Sequence, residues 1–154
     1  MKFTRMYRPK TIVFDIDGTL VDTSHIQHYL IGEPADFDQY NEESYLSAPI
    51  DWVVEHAKEA RRNGVRVLQL TARNSKYRVM TAQWLSEHQV PSDALYMRNR
   101  TDERSDYDVK KDYIELLLKS YDIQKAFDDK PEIVALWQEY DIPCIRVYPP
   151  VLSE

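Results

Sequence analysis

With 154 residues, 43% of them hydrophobic, the chain has material for one domain with a sizeable core and little room for a second. Charged residues at 30%, a mean hydropathy of −0.59 and no run near the roughly 18 apolar residues of a spanning helix exclude a membrane or disordered protein. Twenty basic against 26 acidic residues (net −6) argue against a scaffold that coats duplex DNA, and the lone Cys144 excludes an internal disulfide or a cysteine-cluster zinc site.

The lead-in MKFTRMYRPK is basic and lacks the apolar run of an export signal, so the expected location is the reducing cytoplasm. Residues 11–14 (TIVF) form a continuous β-branched and aromatic run, the mark of a strand buried on both faces of a parallel sheet, and Gly18 closes it. Residues 19–47 are mixed and polar and read as a loop or small lid. Ile50, Val53, Val54, Ala57 and Ala60 have helical spacing, and Asn63-Gly64 supplies a stop. Residues 65–70 read as a second strand. Tyr77, Met80, Trp84 and Leu85 mark a helix ending before Pro91, and residues 94–97 a third strand.

A charged stretch, 98–108, precedes a helix carrying Val109, Tyr113, Leu116 and Leu117. Residues 125–127 read as a short fourth strand leading into Asp128-Asp129. Pro131 opens a helix with Val134, Trp137 and Tyr140, and residues 144–148 complete a fifth strand. Trp52, Trp84, Trp137 and Cys144 sit at core spacings. Strands alternating with helices predict an α/β fold with a doubly wound, Rossmann-like parallel sheet. In such sheets the ligand crevice lies beyond the carboxyl ends of the strands.

Acids follow two of the buried runs at that edge. In Asp15-Ile16-Asp17-Gly18-Thr19 the two-residue pleat aims two carboxylates to one side, and Asp128-Asp129 are placed to meet them. Like charges about 4 Å apart repel by about 4 kcal/mol at an effective dielectric of 20, so such a cluster demands a proton, a cation or both. With oxygen ligands and no cysteine or histidine cage, the natural cation is Mg²⁺. Thr71 ends the second strand, where its hydroxyl suits either a phosphate oxygen or a helix N-cap; Arg73 suits a two-pronged phosphate grip or a solvated face. Lys110 is the expected partner of the acids and the phosphate, with Lys111 as the alternative. Arg98, Arg100 and Arg104 suit the phosphates of a strand end or a solvated charge run. His25 and His28 fit surface or packing positions.

The ordered set Asp-x-Asp-Gly-Thr, strand-Thr, Lys and Asp-Asp resembles the haloacid dehalogenase superfamily of phosphohydrolases over nearly the whole chain. Within it the chain is most similar to the 3′-phosphatase domain of bacteriophage polynucleotide kinase-phosphatase. The likeness lies in residues 14–20 (FDIDGTL), in Thr71-Ala72-Arg73, in Asp106 four residues ahead of Lys110, and in Ala126-Phe127-Asp128-Asp129 before a helix with Val134 and Trp137.

The resemblance implies one phosphatase domain over residues 1–154 with a small or minimal cap at about 19–47. It implies Asp15 as nucleophile, Asp17 as acid/base, and Thr71, Ala72, Arg73, Asp106, Lys110, Arg98 and Arg100 about the substrate or organising the site. Mg²⁺ would be held by Asp15, the Asp17 carbonyl, Asp128 and Asp129. The implied substrate is a phosphorylated nucleic-acid 3′ end, with a separate kinase or ligase as partner. The chain departs from the family in one place: His25, Ile26 and His28 stand in the loop where the family has an Arg. It also lacks the Gly-x-x-x-x-Gly-Lys-Ser/Thr loop of a kinase. The alternatives are a phosphatase for nucleotides or other small phosphoesters, and a non-catalytic binding or regulatory protein of the same fold.

Overall fold

The computed structural model describes residues 6–150; the first half of the basic lead-in and residues 151–154 of the expected domain lie outside the described residues. Five strands form one parallel sheet: β1 (Lys10–Phe14), β2 (Arg66–Asn74), β3 (Ala94–Arg98), β4 (Asp122–Asp128) and β5 (Cys144–Arg146), in the spatial order β3-β2-β1-β4-β5. The chain builds outward from β1 through β2 to β3, then returns to lay β4 against the other side of β1. The direction of winding therefore reverses between β1 and β4, the point at which doubly wound sheets open a ligand crevice.

Alternation along β1 sorts the core into two layers. Ile12 and Phe14 point into a cluster with Val53 and Ala57 of α2 (Asp51–Arg62) and Trp84 and Leu85 of α3 (Arg78–Glu87). Val13 points the other way, toward Ile114 and Leu117 of α4 (Asp106–Ser120) and Ile133, Leu136 and Trp137 of α5 (Pro131–Glu139). Because both faces are covered, the strands carry the unbroken apolar runs seen in the sequence. Phe14 and Phe127 are register partners whose rings stack at 4.7 Å. Such a pair is worth about 0.5–1.5 kcal/mol beyond its buried area and fixes the β1/β4 seam directly below the acids that follow both residues.

Several expectations are corrected. Residues 19–47 are not a plain loop: they hold a short 3-10 helix, Gln27–Leu30, and helix α1, Phe37–Tyr45. Hydrophobic periodicity missed α1 because the residues it buries are Tyr40, Asn41 and Ser44; its start is set by Asp36, whose carboxylate accepts from Gln39 N. Strand β4 begins three residues before position 125, and α4 starts inside the charged stretch, capped by Ser105. Trp52 is 47% exposed and Leu116 54% exposed, so neither is core, and Cys144 is only partly buried. Among the described residues no helix is long and apolar enough to cross a membrane.

Candidate active site

The β1/β4 seam delivers the first group. Asp15 N donates to Phe127 O at 3.0 Å, continuing the ladder one residue past the stacked rings and bringing Asp15 beside Asp128. Asp15, Asp128 and Asp129 each offer a carboxylate oxygen within 4.8 Å of the others. Lys110, in the first turns of α4 and 3% exposed, reaches across from the opposite layer: its Nζ donates to Asp15 Oδ1 at 3.0 Å and to Asp128 Oδ2 at 2.6 Å. Thr19 Oγ1 donates to Asp15 Oδ2 and Lys130 N to Asp128 Oδ1. Lys111, one residue on and so turned by a helical step, does not line the crevice; of the two lysines, Lys110 is at the site.

Three carboxylates and one ammonium leave the group short of positive charge. Burial, then the charge of Asp128, pushes the Asp15 carboxyl upward against the pull of Lys110. Burial, then Asp15, pushes Asp129 up to about 9. Burial works against the Lys110 ammonium too, but Asp128 and Asp15 outweigh it and hold the ammonium well above its ordinary range. Asp129 Oδ1 is buried with no hydrogen-bond partner. A hard divalent cation fits this set: all donors are carboxylate oxygens, one is orphaned, and the missing charge is positive. Gly18 has φ +78°, and a Cβ there would collide with the Asp129 carboxylate, so glycine serves both the turn and the close approach.

The second group surrounds Asp17. Its carboxylate is not one of the three that converge and is gripped by Arg73, with Nε on Oδ2 at 3.3 Å and Nη2 on Oδ1. Ser44 Oγ of α1 donates to Asp17 Oδ1 at 3.2 Å and accepts from Arg73 Nη2 at 2.9 Å, while Arg73 Nη1 donates to Thr81 Oγ1 at 2.8 Å. The fork of Arg73, buried to 8% exposure, thus organises the site by holding the acid, one of the two roles the resemblance implies for it. The reason is that β2 runs to Asn74, so Arg73 lies in a strand and α3 starts only at Arg78. For the same reason Thr71 is no helix cap. Its Oγ1 accepts from Arg73 N at 3.1 Å and keeps its own O–H to donate into the crevice.

The third group stiffens the rim. Arg98 donates to the carbonyls of Ala72 (2.8 Å), Asp102 (3.1 Å) and Arg104 (2.6 Å) and to Asp106 Oδ1 (2.6 Å). Its guanidinium is occupied in bracing the 99–106 loop, so the strand-end contact expected of it is not what the geometry offers. Asp106 also accepts from Lys130; burial opposes its charge, but Lys130 and Arg98 prevail and hold it below the usual range. Arg104 pairs with Asp102 and Asp112. Arg100 is exposed and lies away from the crevice. His25 and His28 are exposed and outside it as well; the loop there contributes Thr23, Gln27 and Leu30 instead.

The crevice encloses about 520 Å³, within the usual range for a small-molecule site. Sequence reasoning overlooked Ser44 and Thr81, which fix the Asp17–Arg73 pair, and the aromatic wall of α1; no local motif marks them.

A buried lysine bridging acids from two adjacent strand ends of a doubly wound sheet defines a phosphatase of haloacid dehalogenase type. Residues 9–150 match the family described as the polynucleotide kinase PNKP phosphatase domain, and the chain belongs to that family. A relative from Autographa californica nuclear polyhedrosis virus, named as a bifunctional polynucleotide kinase/RNA ligase, is 25% identical over 139 residues, which are 89% of this chain and 19% of that one. A chain in the structure of the Pnkp1/Rnl/Hen1 RNA repair complex superposes with a TM-score of 0.76 and 28% identity, covering 91% of this chain and 42% of that one. This chain therefore spans less than half the length of either. The class C acid phosphatase from Bacillus anthracis shares the fold, with a TM-score of 0.71 at 16% identity over 96% of this chain and 69% of its own.

Proposed function

We propose that the chain is a Mg²⁺-dependent polynucleotide 3′-phosphatase of nucleic-acid end repair, acting in the cytoplasm as one domain with residues 19–47 as its cap. The observation that carries the chemistry is the buried Lys110 bridge between Asp15 and Asp128 at the floor of the crevice. Asp15 attacks phosphorus, the bond to the leaving 3′ oxygen breaks, and an aspartyl-phosphate forms, splitting one difficult step into two easier ones. Asp17 gives its proton to the leaving oxygen and then, as the carboxylate that Arg73 and Ser44 hold, takes one from the water that frees phosphate. Lys110 and the free O–H of Thr71 face the phosphoryl oxygens as charge builds there. Asp15, Asp128, Asp129 and the Asp17 carbonyl would hold Mg²⁺, which when bound neutralises charge on the phosphoryl group.

The polynucleotide substrate is supported by family membership and by the names of the two long relatives, which also favour a separate kinase or ligase acting on the same ends. The test compares phosphate release with Mg²⁺ from a 3′-phosphorylated oligonucleotide, a 5′-phosphorylated one and free nucleotides. The 3′ end is expected to be strongly preferred; preference for mononucleotides would overturn the reading in favour of a nucleotidase.

Metal and pH should be linked at this site. A carboxyl raised to about 9 keeps in the fold a proton that the unfolded chain loses near 3.8. The metal-free fold therefore has this increment in full below that lower value and loses it as pH rises toward 9. Mg²⁺ needs the ionised form, so its binding should release protons near pH 7 and raise the unfolding temperature more at pH 8.5 than at pH 6. Thermal melts with chelator or Mg²⁺ read both effects, and Asp129→Asn should flatten the pH slope.

A further inference from the structure

The reaction just described uses only the floor of the crevice. The wall above it is built from the cap, which sets the apolar side chains of Leu30 and Phe37 among Thr23, Gln27 and Asn41. Phe37 opens helix α1 and lines the cavity, yet is 57% exposed. Leu30, at the end of the preceding 3-10 turn, lines the same wall. A single exposed aromatic needs no explanation in itself. Its neighbour does. Asn41, one helical turn on, lines the cavity at 3% exposure; its Nδ2 donates to Phe37 O at 2.7 Å, and its Oδ1 has no partner at all. A buried acceptor left unpaired beside an exposed ring, in the cavity that holds the acids, is a wall short of a flat ligand with an N–H on its edge.

We propose that Phe37, backed by Leu30, is the platform on which the nucleobase of the 3′-terminal nucleotide stacks, and that Asn41 Oδ1 accepts from an N–H on that base. The assignment rests on the 3′-phosphatase reading above. The base is joined to the reacting phosphate through one sugar, so it meets the wall adjoining the phosphate floor. Every base has a π-face and an edge N–H, so such a subsite grips any terminal nucleotide without selecting a sequence. It also supplies binding from a segment that offers neither His25 nor His28 to the crevice.

Steady-state kinetics on two matched oligonucleotides test this, one ending in a base-bearing 3′-phosphorylated nucleotide and the other in a 3′-phosphorylated tetrahydrofuran residue with no base. Phe37→Ala and Phe37→Leu, the latter keeping apolar bulk without a ring, should each raise KM on the base-bearing end about five- to a hundredfold, the range of one lost base–aromatic stack. On the baseless end the wild type should already show that penalty and the variants should add little to it. Phe37→Trp should restore the wild-type KM. Equal KM changes on both ends, or none on either, would overturn the stacking subsite while sparing the 3′-phosphatase reading. A wild-type protein that releases phosphate from nucleotides and from neither oligonucleotide would instead overturn that reading, and this subsite with it.

Discussion

Asp15→Asn should abolish Mg²⁺-dependent phosphate release without harming the fold. An amide oxygen is not a nucleophile toward phosphorus under these conditions, so turnover should fall by roughly 10⁴–10⁶-fold, as when other covalent nucleophiles are removed. The structural consequence runs the other way. Asp15 is buried among like charges that push its carboxyl upward, so at neutral pH its ionised form costs the metal-free fold stability. A neutral Asn relieves that cost, can still accept from Thr19, and leaves Lys110 paired with Asp128. Melting in chelator should therefore show a midpoint equal to or above the wild type's, while the phosphate assay reads background. Turnover within tenfold of wild type would remove Asp15 from the nucleophile's role.

Lys110→Met is the opposite case, because it strikes stability and activity together. The lysine is 3% exposed and is the cation bonded to both Asp15 and Asp128. Removing one partner of a buried ion pair leaves uncompensated charge and costs about 3–5 kcal/mol, a large share of a small domain's stability. Its raised pKa means the ammonium contributes stability fully below the lysine's ordinary value and loses it only above that, so across pH 6–9 the lysine itself stays charged. The loss should instead shrink toward acid pH, as the Asp15 carboxyl, pushed upward by burial and then by Asp128, takes up a proton. Millimolar Mg²⁺ should restore part of the stability by replacing the missing charge, yet not the activity, since the donor to the phosphoryl oxygens is gone. Denaturant unfolding with and without Mg²⁺ measures the first point. A loss below about 1 kcal/mol would mean that solvent already screens the cluster.

Both expectations rest on acids that the sequence displays openly and on a lysine whose position it only suggests. The run at 11–14 and the run ending at Phe127 announce two strands buried on both faces, and an acid follows each directly. Placing those acids at the carboxyl ends of the strands needs nothing beyond the period of a β-strand and the winding of the sheet. Choosing Lys110 over Lys111 requires the phase of α4, which the charged stretch conceals because the helix begins inside it, at Asp106.

Other parts had no linear trace. Helix α1 leaves no apolar period in the sequence because its inward face is Tyr40, Asn41 and Ser44, of which Ser44 bonds Asp17 and Arg73 of the site and Asn41 donates to Phe37 O. Which role Arg73 and Arg98 take has no linear trace for a related reason: a guanidinium looks free in a sequence and finds its carboxylates only in three dimensions.

By itself the sequence determined the class of fold, the strand ends that carry carboxylates and the hard-cation character of the donors, since each follows from local periodicity and residue chemistry. Only the tertiary structure decided which charges neutralise one another, which arginines remain available to a ligand and which wall stands above the acids. Those are set by contacts between residues as far apart as Asp17 and Arg73, or Asp15 and Lys110, and distance along the chain carries no record of them.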